Sequence, residues 1–188
     1  MKTRATTGLL MGFLIPTVWA LDTYTIDSHH TMPMFEVNHL GFSTQRGRFD
    51  RAEGAITLDV EKHSGRVMFK IHADSIDMGF DQWNDHMKSK DFFNVIDYPE
   101  ITFTSESIRF NGEDPVSADG TLSLLGVTKP LRIAITHFKC GNNPITKKEV
   151  CAGDIETKLK RSDFGMNTYL PAIGDDIVVK VPVEAIKD

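Results

Sequence analysis

Seven histidines, two cysteines and a spread of carboxylates are the residues of this chain whose types could do chemistry. His29 and His30 are neighbours, and on a strand neighbouring side chains point to opposite faces, so the two do not chelate together. His39 shares its face with Phe35 and Val37, which makes it an interior or rim residue rather than a surface ligand. No HExxH, no paired CxxC and no other ligand spacing connects the histidines, so the sequence offers no metal site. Ser43, Ser75 and Ser162 stand in no GxSxG elbow, and the carboxylates fall on turns and polar faces. No catalytic residue is assigned, although groups that converge from distant positions leave an enzyme open as an alternative. Arg161 and Asp163 form either an ion pair or hydrogen-bond anchor at a bend, or a hold on the polar end of a ligand.

Cys140 and Cys151 bracket Gly141-Asn142-Asn143-Pro144, which is loop chemistry between two alternating runs. A disulfide across the base of this hairpin suits an oxidising compartment, and closing so short a loop contributes about 3 kcal/mol. A two-thiol metal site or a redox pair are the alternatives, and neither has a supporting motif.

These residues must be positioned by strands. Tyr24 and Ile26 alternate with polar neighbours, as do Phe35 and Val37, then Ile56, Leu58 and Val60. Val67, Phe69 and Ile71 repeat the pattern, and Ile101 and Phe103 begin another run that resumes at Ile108 and Phe110 after a slip in phase. Val116, Ala118, Gly120, Leu122 and Leu124 share one face, followed by Leu131, Ile133 and Ile135, then Ile155 and Leu159. Ile177 to Val183 forms the last strand, with Pro182 marking an edge or bulge. Gly41 and Gly47 fit sharp bends. Residues 82–93 have few β-branched side chains and suggest a short helical excursion. The fold class expected is all-β and antiparallel, either a sandwich or a closed barrel, because alternation is the same in both.

Residues 1–20 have the grammar of a cleavable secretory signal: Lys2 and Arg4, an apolar run from Gly8 to Val18, then Val18-Trp19-Ala20. Residues 21–188 would then be one domain of 168 residues, enough for a single core. Without Lys2 and Arg4 the 21 basic residues fall to 19 against 26 acidic, a formal net charge of −7. Such a chain is a poor nucleic-acid binder, and it has no second apolar segment of membrane length.

Several phrases resemble the YceI-like family. They are Tyr24-Thr25-Ile26-Asp27 with His30, Phe35-Glu36-Val37-Asn38-His39-Leu40-Gly41, and Gly47-Arg48-Phe49. Further on, Asp85-x-x-Lys88-Ser89-x-Asp91-Phe92-Phe93 leads to Tyr98-Pro99-Glu100-Ile101-Thr102-Phe103. Gly120-x-Leu122-x-Leu124-x-Gly126-Val127-Thr128-Lys129-Pro130 and Lys160-Arg161-Ser162-Asp163-Phe164-Gly165-Met166 complete the set, so the likeness runs over about residues 23–186. Two departures stand out: Thr31 where the family more often has Ser, which keeps a hydroxyl, and Met87 in place of Leu.

The resemblance implies a roughly eight-stranded lipocalin-like barrel, with the excursion at residues 82–93 beside one mouth. It also implies a periplasmic protein that binds a long isoprenoid or other lipid: a quinone, a polyprenyl lipid or a fatty amide. Phe35, Val37, Phe69, Ile71, Phe103, Leu122, Leu124, Ile133, Ile135 and Phe164 are the expected lumen lining. His39, Asp85, His86 and Arg161 are the expected polar rim. No cofactor is expected beyond such a bound lipid. Rival expectations are a redox-linked, metal- or haem-associated enzyme acting on that lipid, and a solid-cored interaction module, possibly a homodimer.

Overall fold

The computed structural model describes residues 21–188, so the expected leader over residues 1–20 lies outside the described residues. Eleven strands join one antiparallel sheet: β1 (Asp22–Ile26), β2 (Met34–His39), β3 (Ser43–Phe49), β4 (Ala52–Asp59), β5 (Ser64–His72), β6 (Ile76–Asp77), β7 (Glu100–Asn111), β8 (Asp114–Leu124), β9 (Val127–Asn142), β10 (Glu149–Lys160) and β11 (Ile173–Lys187). Helix α1 (Asp81–Lys88) lies in the β6–β7 connection and begins one residue before the excursion that the sequence suggests. The ring runs β1-β4-β5-β7-β8-β9-β10-β11 and closes where β11 returns to β1. This is an eight-stranded barrel, and closure removes the exposed edges that an open sheet would carry.

Three positions in the ring are held by kinked pairs of strands. β1 and β2 share the edge of β11: Ile26 stands opposite Ala185, and Met34 opposite Lys180. Likewise β3 continues β4, and β6 continues β5. Between β1 and β2 the chain leaves the ladder, and the buried hydroxyl of Thr31 takes its place. Thr31 Oγ1 accepts the Glu184 N–H at 3.2 Å and donates to the Glu184 carbonyl at 3.4 Å. The hydroxyl that the family-like phrase keeps therefore satisfies a backbone pair that the interrupted strand leaves open. Glu184 turns both its backbone groups to that gap, and Asp27 also donates to its carbonyl. Alternation sends the nitrogen of Pro182 the same way, so proline sits where β11 passes from β2 to β1 and no ladder bond is needed.

The phase slip in β7 is a bulge. Ser105 is buried there, its hydroxyl accepting the Ser107 N–H at 3.1 Å and donating to the Asp119 carbonyl at 2.7 Å. A second irregularity between Arg109 and Phe110 puts Pro115 inside and turns Val116 outward, so Val116 does not share the inner face of Ala118. Gly41 does occupy a tight turn, at φ 74°. Gly47 does not mark a bend: it lies within β3 opposite Phe35, where a Cβ would overlap the Phe35 ring and the Met78 sulfur.

Cys140 and Cys151 face each other directly across β9 and β10 and form a disulfide, with Cα atoms 4.0 Å apart. The bond ties the hairpin at the end of the barrel where Tyr24, Ile26, Ile108, Ala118 and Ala185 pack with Cys151. A second apolar cluster forms at the other end around Phe35, Phe49, Phe92, Phe93 and Phe164.

Candidate functional site

The inward faces of the strands do not fill the space between the two clusters. Val37, Phe69, Ile71, Ile133, Ile135, Ile155, Leu159, Ile177 and Val179 all point inward, yet each is only half-buried. In a solid core, side chains at these positions would cover one another. Here they surround a cavity of about 530 Å³ to which nearly every strand contributes. That volume lies in the range of small-molecule sites, and the lining is overwhelmingly apolar.

Nine of the ten expected lumen residues border this cavity: Phe35, Val37, Phe69, Ile71, Phe103, Leu122, Leu124, Ile133 and Ile135. Phe164 does not. It is buried in the cluster at the barrel end, within a tight 3-10 turn (Arg161–Phe164), and faces a small crevice beside Phe92 and Tyr98. Strand parity does not extend through that turn, which is why the expectation fails there.

At the floor, Tyr24 donates to Glu149 Oε1 at 2.9 Å. Burial, together with the neighbouring carboxylate, pushes its phenol up to about 12.

Three segments frame the opposite end: the β2–β3 turn, α1, and the connection from β10 to β11. The Leu40 N–H donates to the Ala172 carbonyl at 2.9 Å, joining the first to the third. The His39 ring lies 6.2 Å from that of Trp83, joining the first to the second. His86 and Tyr169, with ring centroids 6.0 Å apart, join the second to the third. His39 and His86 therefore both reach the cavity, with Gln45, Trp83, Met87 and Tyr169 beside them. Asp85 does not reach it: one helical step from His86 it points to solvent, while Trp83, His86 and Met87 share the inner face at helical spacing.

Arg161 borders the cavity, but its charge is already engaged. Nε donates to the Gly174 carbonyl and Nη1 to Met166, both at 2.9 Å, while Nη2 reaches Thr168 at 2.9 Å and Ile173 at 3.0 Å. Four of the five N–H donors of the guanidinium thus fold the 161–174 segment around one buried side chain. Burial pushes the guanidinium below its ordinary pKa, opposed by the nearby Asp175 carboxylate. Asp175 in turn accepts the Ser162 N–H at 2.9 Å and its hydroxyl at 2.8 Å, and these bonds hold the carboxyl below its ordinary range. Asp163 faces Lys129 at 3.3 Å instead of Arg161, so of the two structural roles open to Arg161 the backbone anchor is the one present.

Sequence reasoning missed Trp83, Met87, Phe92, Phe93, Tyr169, Gln45 and Thr157. The i, i+3, i+4 spacing of Trp83, His86 and Met87 carried a usable signal, and Phe92 and Phe93 stood in a family-like phrase beside the expected mouth; Tyr169 carried none. Phe93 packs against both Phe35 and Phe49, with centroids 6.2 and 5.2 Å away. Among the described residues no group of three or more His, Cys, Asp or Glu is placed to hold a metal ion.

The YceI-like domain model matches residues 24–185, the full circuit of the barrel. The chain belongs to the YceI-like family. Protein YceI of Escherichia coli is 32% identical over 168 residues, covering 87% of this chain and 86% of that protein. A Campylobacter jejuni YCEI protein structure superimposes with a TM-score of 0.68 at 27% identity, over 80% of this chain and 90% of that one. A polyisoprenoid binding domain from Saccharophagus degradans, implicated in plant cell wall breakdown, shares the fold at a TM-score of 0.65. It is 15% identical, covering 88% of this chain and 98% of that one.

The YceI-like phrases acquire physical reasons in this barrel. Gly120 lies beneath the Phe103 ring and Gly126 beneath Tyr98, where a Cβ would collide with each. Arg161-Ser162 forms the backbone clamp at the mouth, and Thr31 bridges the interrupted first strand.

Proposed function

We propose that this chain is a carrier that sequesters an isoprenoid quinone, a polyprenyl lipid or a fatty amide in the barrel lumen. The observation that carries this reading is the hollow, apolar interior whose inward side chains are only half-covered by one another. Such a lining gains by burying a hydrocarbon chain: each isoprene unit releases about 3 kcal/mol gross on leaving water. Most of that gain is shared with any competing membrane, so binding suited to exchange needs no extreme affinity. The polyisoprenoid binding domain from Saccharophagus degradans gives this fold a precedent for an isoprenoid ligand.

The polar groups at the mouth, His39, Gln45, His86 and Tyr169, would select the head group. Arg161 acts in this reading through the loop that it folds, not through a charge offered to the ligand. The protein binds and releases without chemical change. The paired cysteines and the expected leader favour a periplasmic setting, where disulfides persist.

The test is retention of a labelled polyprenol by purified protein. Phe69→Asp puts a charge in the middle of the lining and should abolish retention, while Met68→Asp, on the exposed outer face of the same strand, should leave it unchanged. Wild-type retention by Phe69→Asp would contradict a lumenal site.

A further inference from the structure

Among the described residues, half of the large apolar side chains that are exposed gather at the end of the barrel that carries the mouth. Leu40 and Phe42 lie on the β2–β3 turn, Phe80 immediately before α1, Ile96 and Tyr98 in the loop after it, and Tyr169 in the β10–β11 connection. Phe42 is 89% exposed and Ile96 88%. The contacts that join the three framing segments hold most of this set in one collar, and the Phe80 ring extends it, 5.0 Å from that of Trp83. The other exposed apolar residues are scattered over the barrel wall and its opposite end.

We infer that this collar is a bilayer-docking surface, and that the protein loads and unloads with its mouth seated in the interface of a zwitterionic phospholipid membrane. The inference rests on the carrier reading and adds where exchange happens. Two observations choose a bilayer over a protein partner. First, the collar is continuous with the lumen: Leu40, Trp83 and Tyr169 both rim the mouth and line the cavity. A hydrocarbon chain moving over that rim meets apolar surface throughout, whereas a mouth held away from the bilayer would pass the chain through water. Second, the collar combines Phe and Leu with the amphipathic rings of Trp and Tyr, which suits the boundary between head groups and acyl chains.

Charge decides the kind of membrane. The segment around α1 carries Asp81, Asp85 and Asp91 against Lys88 and Lys90, and Arg46 beside the turn is paired with Glu36 at 3.0 Å. Lys129 and Lys160 at this end are likewise paired, with Asp163 and Asp176, so among the described residues no unpaired basic cluster surrounds the mouth to draw an anionic leaflet, and docking should depend little on salt.

The experiment uses residues 21–188, which hold every strand of the closed sheet, with phosphatidylcholine vesicles. Flotation reads docking, and transfer of a fluorescent polyprenol from donor to acceptor vesicles reads exchange. Wild-type protein should float with vesicles in low and high salt, and its transfer rate should rise with acceptor concentration. Phe42→Asp combined with Phe80→Asp, both outside the lumen lining, should lower flotation and transfer at least about tenfold, as the loss of two buried phenyl rings implies. Retention of the same polyprenol presented in detergent should stay within about twofold, since neither substituted side chain lines the lumen.

Wild-type protein that does not float, or a double variant that transfers as fast as wild type, would overturn the docking surface. So would self-association of wild type lost in the variant without flotation, which would make a second copy the occupant. Failure of wild type to retain polyprenol from detergent would instead sink the carrier reading, and flotation would still report on docking by itself.

Discussion

At Arg161 one guanidinium gathers the carbonyls of Gly174, Met166, Thr168 and Ile173, so the loop beside the mouth is shaped by a single side chain. Arg161→Met keeps much of the aliphatic packing but strands those acceptors, and an unsatisfied buried carbonyl costs on the order of 1–3 kcal/mol. Urea denaturation should show the variant destabilised by about 3 kcal/mol or more; an unchanged midpoint would contradict the clamp. Arg161→Lys should rescue little, because an ammonium cannot reproduce the planar fork.

His30 and Asp27, joined at 2.8 Å, make a smaller prediction. The hydrogen bond to Asp27 raises the His30 pKa above 6.5, and the bond from His30 lowers that of Asp27 below 3.8. The histidine contribution is complete below pH 6.5 and fades as pH rises through its raised value; that of the carboxylate is complete above pH 3.8 and fades as pH falls through its lowered value. The stability difference between wild type and His30→Gln should therefore be largest between about pH 4 and 6.5 and shrink outside that window. Arg161 was legible as an anchor at a bend, but its partners were not, because backbone carbonyls carry no residue identity that a sequence can display.

At the scale of elements, the strands hold their places through a few local devices. Thr31→Val keeps the volume and removes the hydroxyl that serves both backbone groups of Glu184, so it should cost about 1–3 kcal/mol. Hydrogen exchange should report faster opening at Glu184, and equal protection would contradict the bridge. Replacing Cys140 and Cys151 together by Ala frees a closed loop with a sequence separation of 11 and should cost about 3 kcal/mol in the denaturation midpoint. The strands and this bridge were legible because alternation and hairpin spacing are local properties. The places where reading failed are those where period two breaks down. Val116 is turned outward by a bulge, Phe164 lies in a 3-10 turn, and Asp85 follows the period of a helix. Gly47 was visible as a glycine that matters, but its reason, room for the Phe35 ring on the neighbouring strand, appears only once β2 and β3 are paired.

For the molecule as a whole, the decisive property is that the barrel is closed and hollow. Alternating strands can be packed as a sandwich, a filled barrel or an open lumen with the same pattern, so composition and periodicity left those choices undecided and the family-like phrases pointed to the barrel. What separates a lumen from a filled core is the distance between facing inward side chains across the barrel, which no stretch of sequence records. Val37, Phe69 and Ile133 face a cavity of about 530 Å³ instead of one another, and that spacing is the physical basis of the carrier reading. The most direct test is native mass spectrometry of the purified protein, followed by solvent extraction of whatever dissociates. The account predicts a discrete added mass, or one gained on incubation with a polyprenol or quinone, that extracts as a prenyl or acyl lipid and is absent from Phe69→Asp. A bare mass that stays bare after incubation with these lipids would contradict it.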